Sequence, residues 1–474
     1  MEAFIPLALF ICVCVVLLFG FPVAFSLGGT ALIFSLIGLY TDTFDPAFLS
    51  ALPNRIYGIM TNTTLIAVPL FIFMGVMLEK AKIAEDMLGT MADLFGNLKS
   101  GLGISVILVG MLLAASTGIV GATVVTMGLL SLPVMLKRGY HPSIATGTIC
   151  ATGTLGQIIP PSIVLILLGE VLSAAYQQAQ LSMGIFAPET LSVGDLFVGA
   201  LIPGILLVCF YIFYLLLISK FKPELFGDVS SIAKHQQSIS QNKGQNLQLL
   251  NVLLPPLFLI IAVLGSILAG VATPTEASSI GATGAILLAL FKKQLSWSIL
   301  KEVMQSTTRV TSMIFLIFIG AAIFSLVFKG FGGDEIVEEF LVGFAQSDES
   351  GIFPPGPFLP LLIVMLVMFF LGFILDFIEI TFVVVPIIAP VILGMGVDPV
   401  WLGIMIAINL QTSFLTPPFG FALFYLRGVA PKSVTTVQIY QGVLPFILIQ
   451  LFMLIILAYW PQLATWLPEK VFTP

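Results

Sequence analysis

The sequence predicts an all-α polytopic membrane protein of inverted repeats, each with a re-entrant hairpin and a proline-broken helix. The 474 residues are 58% hydrophobic and 9% charged, whereas soluble proteins are about 25% charged. Apolar stretches long enough to cross a bilayer recur along the chain. Two of them, at 153–162 and 409–420, contain a proline pair in matching places. Because proline ends or kinks a helix, both spans are expected to be broken.

The charged residues lie mainly between the apolar stretches, so the net charge of −6 says little about partners. The 18 Lys and Arg bear on orientation in the membrane and do not indicate nucleic-acid binding. The only long polar stretch, at 220–246, is predicted to be a cytoplasmic linker. It separates a first repeat over 1–219 from a second over 247–474.

The apolar pattern predicts six segments in each half of the chain. In the first half they lie at about 4–20, 23–40, 62–78, 101–136, 143–175 and 195–219. In the second half they lie at about 247–267, 273–292, 309–328, 355–395, 400–427 and 440–462. Segments 101–136 and 355–395 are too long for one crossing, and small or polar residues interrupt each one.

Loop charges indicate how these two long segments enter the membrane. Segment 101–136 lies between Lys99 and Lys137-Arg138, so both of its ends are expected in the cytoplasm. Segment 355–395 follows an acidic loop over 334–349, and both of its ends are expected outside. Each half then has five crossings and one hairpin, and an odd number of crossings inverts the second half. Such inverted repeats with broken helices are typical of secondary transporters.

The first hairpin is predicted to turn within 116–123, where Ser, Thr and Gly cluster. Glycines permit a sharp turn, and freed carbonyl and hydroxyl oxygens suit a hard cation such as Na⁺. Ordinary packing of small residues between membrane helices would produce the same composition. Both interpretations remain open at this point.

The second hairpin is predicted to turn within 372–381, which contains Asp376 and Glu379. A carboxylate inside an apolar segment is costly and is expected to have a function. Either residue could help bind Na⁺ or carry a proton. The structural alternative is that they cap the N-terminus of a half-helix.

The two broken helices offer complementary ends. Half-helix C-termini at 153–157 and 409–415 are expected to point unpaired carbonyls at a cation, and N-termini after Pro161 and Pro418 to point N–H groups at an anion. Such a site favours an anionic substrate with a coupling cation, although a kinked structural helix is the alternative. Elsewhere, Thr273–Glu276 predicts a helix N-terminus, and Arg427 either attracts a carboxylate or anchors the interface.

These residues also carry a family resemblance that extends over essentially the whole chain. The matching pieces are Gly121–Gly128, Lys137–Tyr140, Gly153–Ser162 (GTLGQIIPPS), Gly270–Ala277 (GVATPTEA) and Leu415–Gly420 (LTPPFG). In this combination they resemble the large membrane subunit of tripartite ATP-independent periplasmic (TRAP) transporters, the DctM-type permease.

The resemblance implies an elevator-type ion-transporter fold with Na⁺ sites at the hairpin tips and the adjacent broken helices. Mapped onto this sequence, the ion ligands are expected at Ser116, Thr117, Gly118, Gly121, Gly153, Thr154, Asp376, Glu379, Thr381, Asn409, Ser413 and Thr416. Substrate contacts are expected at Thr123, Gln157, Pro161, Ser162, Thr412, Pro418 and Gly420.

The resemblance further implies Na⁺-driven import of a small organic acid anion (2-oxo acid, dicarboxylate, monocarboxylate or glutamate) across a bacterial inner membrane. The implied partners are a small four-helix subunit of the DctQ type and a periplasmic solute-binding protein of the DctP type. No cofactor is expected beyond Na⁺ as coupling ion. The nearest alternative is an H⁺-coupled transporter that uses Asp376 or Glu379, and a channel or a membrane enzyme is less well supported. The sequence contains no Gly-x-x-x-x-Gly-Lys-Ser/Thr motif, and we expect a transporter driven by an ion gradient.

Overall fold

The computed structural model describes residues 4–95, 98–227, 245–346 and 356–472. Within these ranges the regular secondary structure is entirely helical. Most of the predicted linker, at 228–244, lies outside the described residues, as does the end of the predicted acidic loop at 347–349.

Within the described residues, the first half of the chain forms eleven α-helices and the second half ten, several of them joined by very short turns. Those of the first half are α1 Phe4–Leu18, α2 Val23–Tyr40, α3 Pro46–Ser50, α4 Leu52–Thr61, α5 Ala67–Lys80, α6 Ile83–Leu94, α7 Gly101–Thr117, α8 Val120–Lys137, α9 Pro142–Thr154, α10 Ile163–Ser182 and α11 Val193–Phe221.

The ten described helices of the second half follow in chain order. They are α12 Gln245–Leu268, α13 Pro274–Phe291, α14 Trp297–Gly330, α15 Gly333–Gln346, α16 Phe358–Leu371, α17 Phe377–Gly394, α18 Pro399–Leu415, α19 Phe421–Val429, α20 Thr436–Tyr459 and α21 Gln462–Phe472. Residues Ile380–Val384 of α17 form a π-helical turn.

Six of the described helices are long and apolar enough to cross a membrane: α2, α8, α11, α14, α17 and α20. A seventh span results if Pro46–Thr61 and Thr64–Lys80, which meet at a bend of 52°, are counted as one. The predicted segments at 23–40, 195–219 and 440–462 coincide with α2, α11 and α20. The chain is therefore a helical polytopic membrane protein, as its composition predicts.

Both long segments are divided near the predicted places. Segment 101–136 forms α7 and α8, joined by Gly118 and Ile119, and segment 355–395 forms α16 and α17, joined by residues 372–376. The side of the membrane from which each pair enters stays a prediction.

Two expectations need correction. The acidic stretch after Gly330 is not a loop, because α15 occupies Gly333–Gln346. The segment predicted at 309–328 is part of the 34-residue helix α14. The sequence interpretation also missed α3, α4, α6 and α21, short helices that lie almost entirely outside the predicted segments.

The helices group into two compact units, each built from three chain segments. Unit 1 comprises Met1–Ile66, Ile166–Val193 and Thr308–Ile406, and unit 2 comprises Ala67–Leu165, Gly194–Thr307 and Ala407–Pro474. Each unit thus draws on both halves of the sequence.

Small residues allow close helix contacts inside each unit. In unit 2, a Cβ added to Gly147 of α9 would lie 2.0 Å from the carbonyl oxygen of Gly442 in α20. In unit 1, a Cβ added to Gly320 of α14 would lie 2.4 Å from the carbonyl oxygen of Ala24 in α2. The two backbones touch at each crossing, which fixes the helix positions around the breaks described next.

Candidate functional site

The first turn, between α7 and α8 in unit 2, depends on a glycine. Gly118 ends α7 in the left-handed conformation, with φ of 60°, and its N–H donates to the Ala114 carbonyl at 2.9 Å. A Cβ there would lie 2.8 Å from Cγ1 and 3.1 Å from the backbone nitrogen of Ile163. Backbone conformation and close packing therefore both exclude a larger residue at this turn.

Hydroxyl groups pair across the same turn. The Thr117 and Thr123 hydroxyls are 2.7 Å apart, and that of Thr123 donates to the Ile119 carbonyl at 3.1 Å. Gly121 faces the Tyr425 ring, which a Cβ would approach to 3.0 Å. The structure thus brings together Thr117, Gly118 and Thr123, while the Ser116 side chain lies outside the described part of the chain.

The first broken helix ends differently from the prediction. After α9 the chain forms one 3₁₀ turn, Leu155–Gln157, and passes through Pro160 and Pro161, joined by a cis peptide, before α10 begins at Ile163. The Ser162 hydroxyl donates to the carbonyls of Gly156, at 2.7 Å, and Gln157, at 3.1 Å. These two carbonyls are therefore not unpaired, because a serine beyond the proline pair caps them.

The remaining predicted residues of this break are packed in the core of unit 2. The Thr154 hydroxyl donates to the Ala151 carbonyl at 2.9 Å. A Cβ added to Gly153 would lie 2.2 Å from Cγ2 of Val124 in α8. Gly153 therefore sets the contact between the broken helix and the hairpin, which joins two parts of the predicted site.

The second broken helix uses the same proline device. α18 ends at Leu415, Pro417 and Pro418 are joined by a cis peptide, and α19 begins at Phe421. The hydroxyls of Thr412 and Thr416 donate to carbonyls one turn earlier, each at 2.7 Å. A Cβ on Gly420 would lie 2.5 Å from the Phe414 carbonyl oxygen. Asn409 and Ser413 are buried in the same segment.

Two glutamines distinguish these breaks from ordinary kinked helices. Gln157 and Gln411 are fully buried, and neither amide makes a hydrogen bond of good geometry within the described residues, although the Gln411 side chain lies beside the Tyr211 hydroxyl. Leaving a buried polar group unsatisfied costs about 1–3 kcal/mol. Amide oxygens can coordinate a hard cation, and amide N–H groups can donate to a carboxylate. Each break therefore contains an unused amide suited to a ligand.

The second hairpin, in unit 1, realises the structural alternative predicted for its carboxylates. Asp376 is the N-cap of α17 and accepts from the Phe377 N–H at 2.7 Å, while Glu379 accepts from the Asp376 N–H at 3.0 Å. The two carboxylates form a capping box. Asp376 accepts from two backbone N–H groups and Glu379 from one, and these bonds do not use all lone pairs of the carboxylate oxygens. The nearby Thr381 hydroxyl is fully buried and has no partner among the described residues.

Two features outside the hairpins have structural contacts. Thr273 and Glu276 form the capping box predicted at the start of α13. Arg427 donates to the Val434 carbonyl at 2.5 Å. Within the described ranges, no group of three or more His, Cys, Asp or Glu side chains could hold a metal ion. Any cation site there must therefore rely on carbonyl, hydroxyl and amide oxygens as well as carboxylates.

Comparison with known proteins decides the family. The model for the DctM component of tripartite ATP-independent periplasmic transporters matches residues 10–463. The chain belongs to the DctM family. The family description names a tripartite system, so this DctM chain is one component of a transporter and is not an enzyme. With its apolar spans, it is a multi-pass protein of the inner membrane.

Curated relatives match the DctM chain over nearly its full length. It is 28% identical to the C4-dicarboxylate TRAP transporter large permease protein DctM of Vibrio cholerae, covering 98% of both chains. It is 27% identical to the sialic acid large permease protein SiaM of Vibrio cholerae, covering 95% of both. It is also 27% identical to the ectoine/5-hydroxyectoine permease protein UehC of Ruegeria pomeroyi, covering 98% of this chain and 99% of that one.

A solved structure has the same fold. The crystal structure of the Alcanivorax borkumensis YdaH transporter superposes with a TM-score of 0.60 at 15% identity, covering 98% of each chain. At this identity the similarity concerns the fold alone.

Sequence reasoning identified the hairpins and breaks and counted Gln411 among the side chains available at the second break, but it assigned Gln411 to neither the ion nor the substrate. It assigned Ser162 to substrate, whereas the Ser162 hydroxyl caps two carbonyls. The amide residues Asn409 and Gln411 inside the apolar helix α18 were the available signal, but the position of Gln411 beside the Tyr211 hydroxyl is visible only in three dimensions.

Proposed function

We propose that this DctM chain is the large permease subunit of a Na⁺-driven importer of small organic acid anions. Its solute would be delivered by a periplasmic binding protein of the DctP type, and a small four-helix membrane subunit of the DctQ type would complete the complex. The observation that carries the proposal is the buried Gln157 amide beside the first proline break, which has no hydrogen-bond partner among the described residues. A second buried amide, Gln411, precedes the other break and lies beside the Tyr211 hydroxyl.

The names of the relatives support the solute class. They are described as permeases for C4-dicarboxylates, sialic acid and ectoine, all of which carry a carboxylate. Half-helix N-termini attract such a group, and an amide N–H can donate to it. A carboxylate-bearing solute of the 2-oxo acid, dicarboxylate, monocarboxylate or glutamate type fits this chemistry.

The oxygen atoms that the chain offers support Na⁺ as the coupling ion. Buried hydroxyl and amide groups, including Thr381 and Gln157, supply neutral oxygens without a competing partner among the described residues. Hard cations prefer oxygen ligands. Na⁺ would bias the transporter only through a difference in affinity between its two conformations.

The proposal is tested by uptake into proteoliposomes that contain the chain, its small subunit and its binding protein. Labelled 2-oxo acids, C4-dicarboxylates, lactate and glutamate would be offered under an imposed Na⁺ gradient. Accumulation that requires Na⁺ and survives a proton uncoupler is the expected result. Accumulation driven only by a pH gradient would contradict Na⁺ coupling and favour the H⁺-coupled alternative.

The H⁺-coupled alternative rests on the buried carboxylates of Asp376 and Glu379. The substitution Glu379→Gln removes the charge of this side chain but keeps an oxygen that can accept the capping hydrogen bond. Gln438 already serves as the third residue of the Thr435 capping box, where its side chain accepts from the Thr435 N–H at 2.9 Å. Glutamine at 379 should therefore keep the cap. If the Glu379 charge helps bind Na⁺, the Na⁺ concentration for half-maximal uptake should rise ~10-fold, since a hydrogen-bond-strength contact to a charge is worth about 1.5–3 kcal/mol.

The matched control is Glu276→Gln, the same chemical change in the Thr273 capping box, which is exposed. It should leave uptake and its Na⁺ dependence unchanged. A Glu379→Gln variant whose uptake loses its pH dependence at constant Na⁺ would instead assign Glu379 to proton coupling. Wild-type behaviour in both respects would leave Glu379 with capping alone.

A further inference from the structure

Unit 1 contains a cavity of about 400 Å³ that no predicted site residue lines. It lies among α4, α10, α14 and α17. Its wall is mostly apolar, with Phe318 and Phe382 among the lining residues. The polar side chains on the wall are Arg55, Asn62, Glu170, Gln178, Ser325 and Lys329. Arg55 and Gln178 are exposed, so the cavity is accessible from outside the unit.

The single carboxylate on this wall already has a partner. The Asn62 amide nitrogen donates to Glu170 at 2.5 Å, and the Asn62 amide oxygen accepts from the Thr64 N–H at 2.8 Å. Asn62 is therefore held at both ends and fixes the Glu170 carboxylate. Thr64, Asn62 and Glu170 thus form one chain of hydrogen bonds, which holds the Glu170 carboxylate toward Asn62.

The two cations on the wall, Arg55 and Lys329, are not in an ion pair with a carboxylate among the described residues. The Lys329 ammonium donates to the Gln178 amide oxygen at 3.4 Å, a neutral acceptor. The ion pairs among the described residues join Lys80 with Glu302 and Lys292 with Asp86, and neither includes Arg55 or Lys329. Two cations against one carboxylate leave the wall with a net charge of +1. A partly apolar cavity strengthens the attraction of that charge for an anion.

We infer that this cavity is a binding site for a carboxylate of the transported solute, with Arg55 and Lys329 as its charged donors. An arginine presents a planar fork that matches a carboxylate, and a lysine adds a point charge. Apolar wall residues such as Phe318 accommodate the carbon skeleton. Phe382 follows Thr381 in α17, so the cavity wall continues directly from the second hairpin. The inference rests on the proposed function only in taking the solute to be an organic anion.

The charge of the cavity can be measured without transport. Ala174, an exposed lining residue, would be replaced by cysteine in a chain whose four native cysteines are removed, reconstituted with the small subunit. The rates of modification by anionic sulfonatoethyl and cationic trimethylammonioethyl methanethiosulfonate are then compared. The anionic-to-cationic rate ratio should fall ~5-fold in Arg55→Gln and in Lys329→Gln. Lys301→Gln, which removes a charge from the same helix α14 outside the cavity, should leave the ratio unchanged.

Solute binding is measured as protection of the same cysteine. Succinate, 2-oxoglutarate, lactate and glutamate would each be added without a Na⁺ gradient, and at least one should slow modification about threefold or more. Arg55→Gln should abolish this protection, and Arg55→Lys should retain part of it, because the charge remains without the fork. Protection by none of the four anions, or protection that survives Arg55→Gln, would overturn the inference.

A lipid headgroup offers the other source of an anion at a membrane protein. Modification in phosphatidylcholine vesicles is therefore compared with that in vesicles containing phosphatidylglycerol. If anionic lipid alone slows the reaction and the four solutes add nothing, the occupant is a lipid and the inference fails. Uptake and protection are independent readouts, so a failure of Na⁺ coupling and a failure of this site are distinguished.

Discussion

Gln411→Leu is expected to lower Na⁺-dependent uptake by ~10- to 100-fold while leaving the protein at least as thermally stable as the wild type. The Gln411 amide is fully buried and makes no hydrogen bond of good geometry among the described residues, although it lies beside the Tyr211 hydroxyl, so leucine should not destabilise the fold. A contact from this amide to a charged ligand would be worth about 1.5–3 kcal/mol, which sets the expected loss of uptake.

Two measurements on one preparation test this expectation. Thermal unfolding of the purified complex would be recorded with and without Na⁺, and uptake would be measured in proteoliposomes. The wild type should be stabilised by Na⁺ or solute, because a ligand that binds only the folded state raises its stability. Gln411→Leu should lose that increment. Gln157→Leu is expected to lose the same increment, because the Gln157 amide is also fully buried and has no hydrogen-bond partner among the described residues.

Gln450→Leu is the matched control, because it removes a buried amide whose nitrogen is in use. The Gln450 nitrogen donates to the Tyr211 hydroxyl at 2.7 Å, and both residues are fully buried. Leucine there would leave the hydroxyl without this bond and should cost about 1–3 kcal/mol of stability. If Gln411→Leu leaves uptake unchanged, the Gln411 amide has no role in binding the ion or the solute. If the variant is less stable than the wild type, the amide makes a hydrogen bond that supports the fold.

Gly118→Ala is expected to distort the turn of the first hairpin and impair transport. Alanine in the left-handed conformation costs about 1–2 kcal/mol. Its Cβ would also lie 3.1 Å from the Ile163 backbone nitrogen, and such overpacking typically adds about 1–3 kcal/mol. Together these effects should displace the turn that carries Thr117 and Thr123, and Na⁺-dependent uptake should fall at least ~10-fold.

Gly184→Ala separates backbone strain from steric contact. Gly184 also has a positive φ, of 81°, but a Cβ there would meet nothing within 4 Å. The Gly184→Ala variant should therefore be less thermally stable because of backbone strain, while its Na⁺-dependent uptake stays at the wild-type level. If both variants lose uptake equally, the contact of Gly118 with Ile163 is not what matters. If neither loses uptake, the first turn is not part of the ion or solute site.

Local chemistry explains how much of the candidate site was predictable. Helix breaks at the proline pairs, the glycine turn at Gly118 and the capping box at Thr273 all depend on residues within a few positions of one another. The capping of α17 by Asp376 and Glu379 was foreseen as one of three roles for the same reason. What failed was the expectation of unpaired carbonyls at Gly156 and Gln157, because the Ser162 hydroxyl folds back across the proline pair.

The sequence by itself determined that this protein is a helical membrane protein with two proline-broken helices, since hydropathy and proline act along the chain and need no distant partner. Only the tertiary structure decided which polar groups are in use. The Gln450 amide nitrogen donates to the Tyr211 hydroxyl, whereas the Gln157 amide has no partner among the described residues, yet both are buried glutamines. Arg55, Glu170 and Lys329 come from three distant segments and meet at one cavity. Hydrogen bonding and charge pairing depend on such non-local contacts, which composition and spacing do not specify.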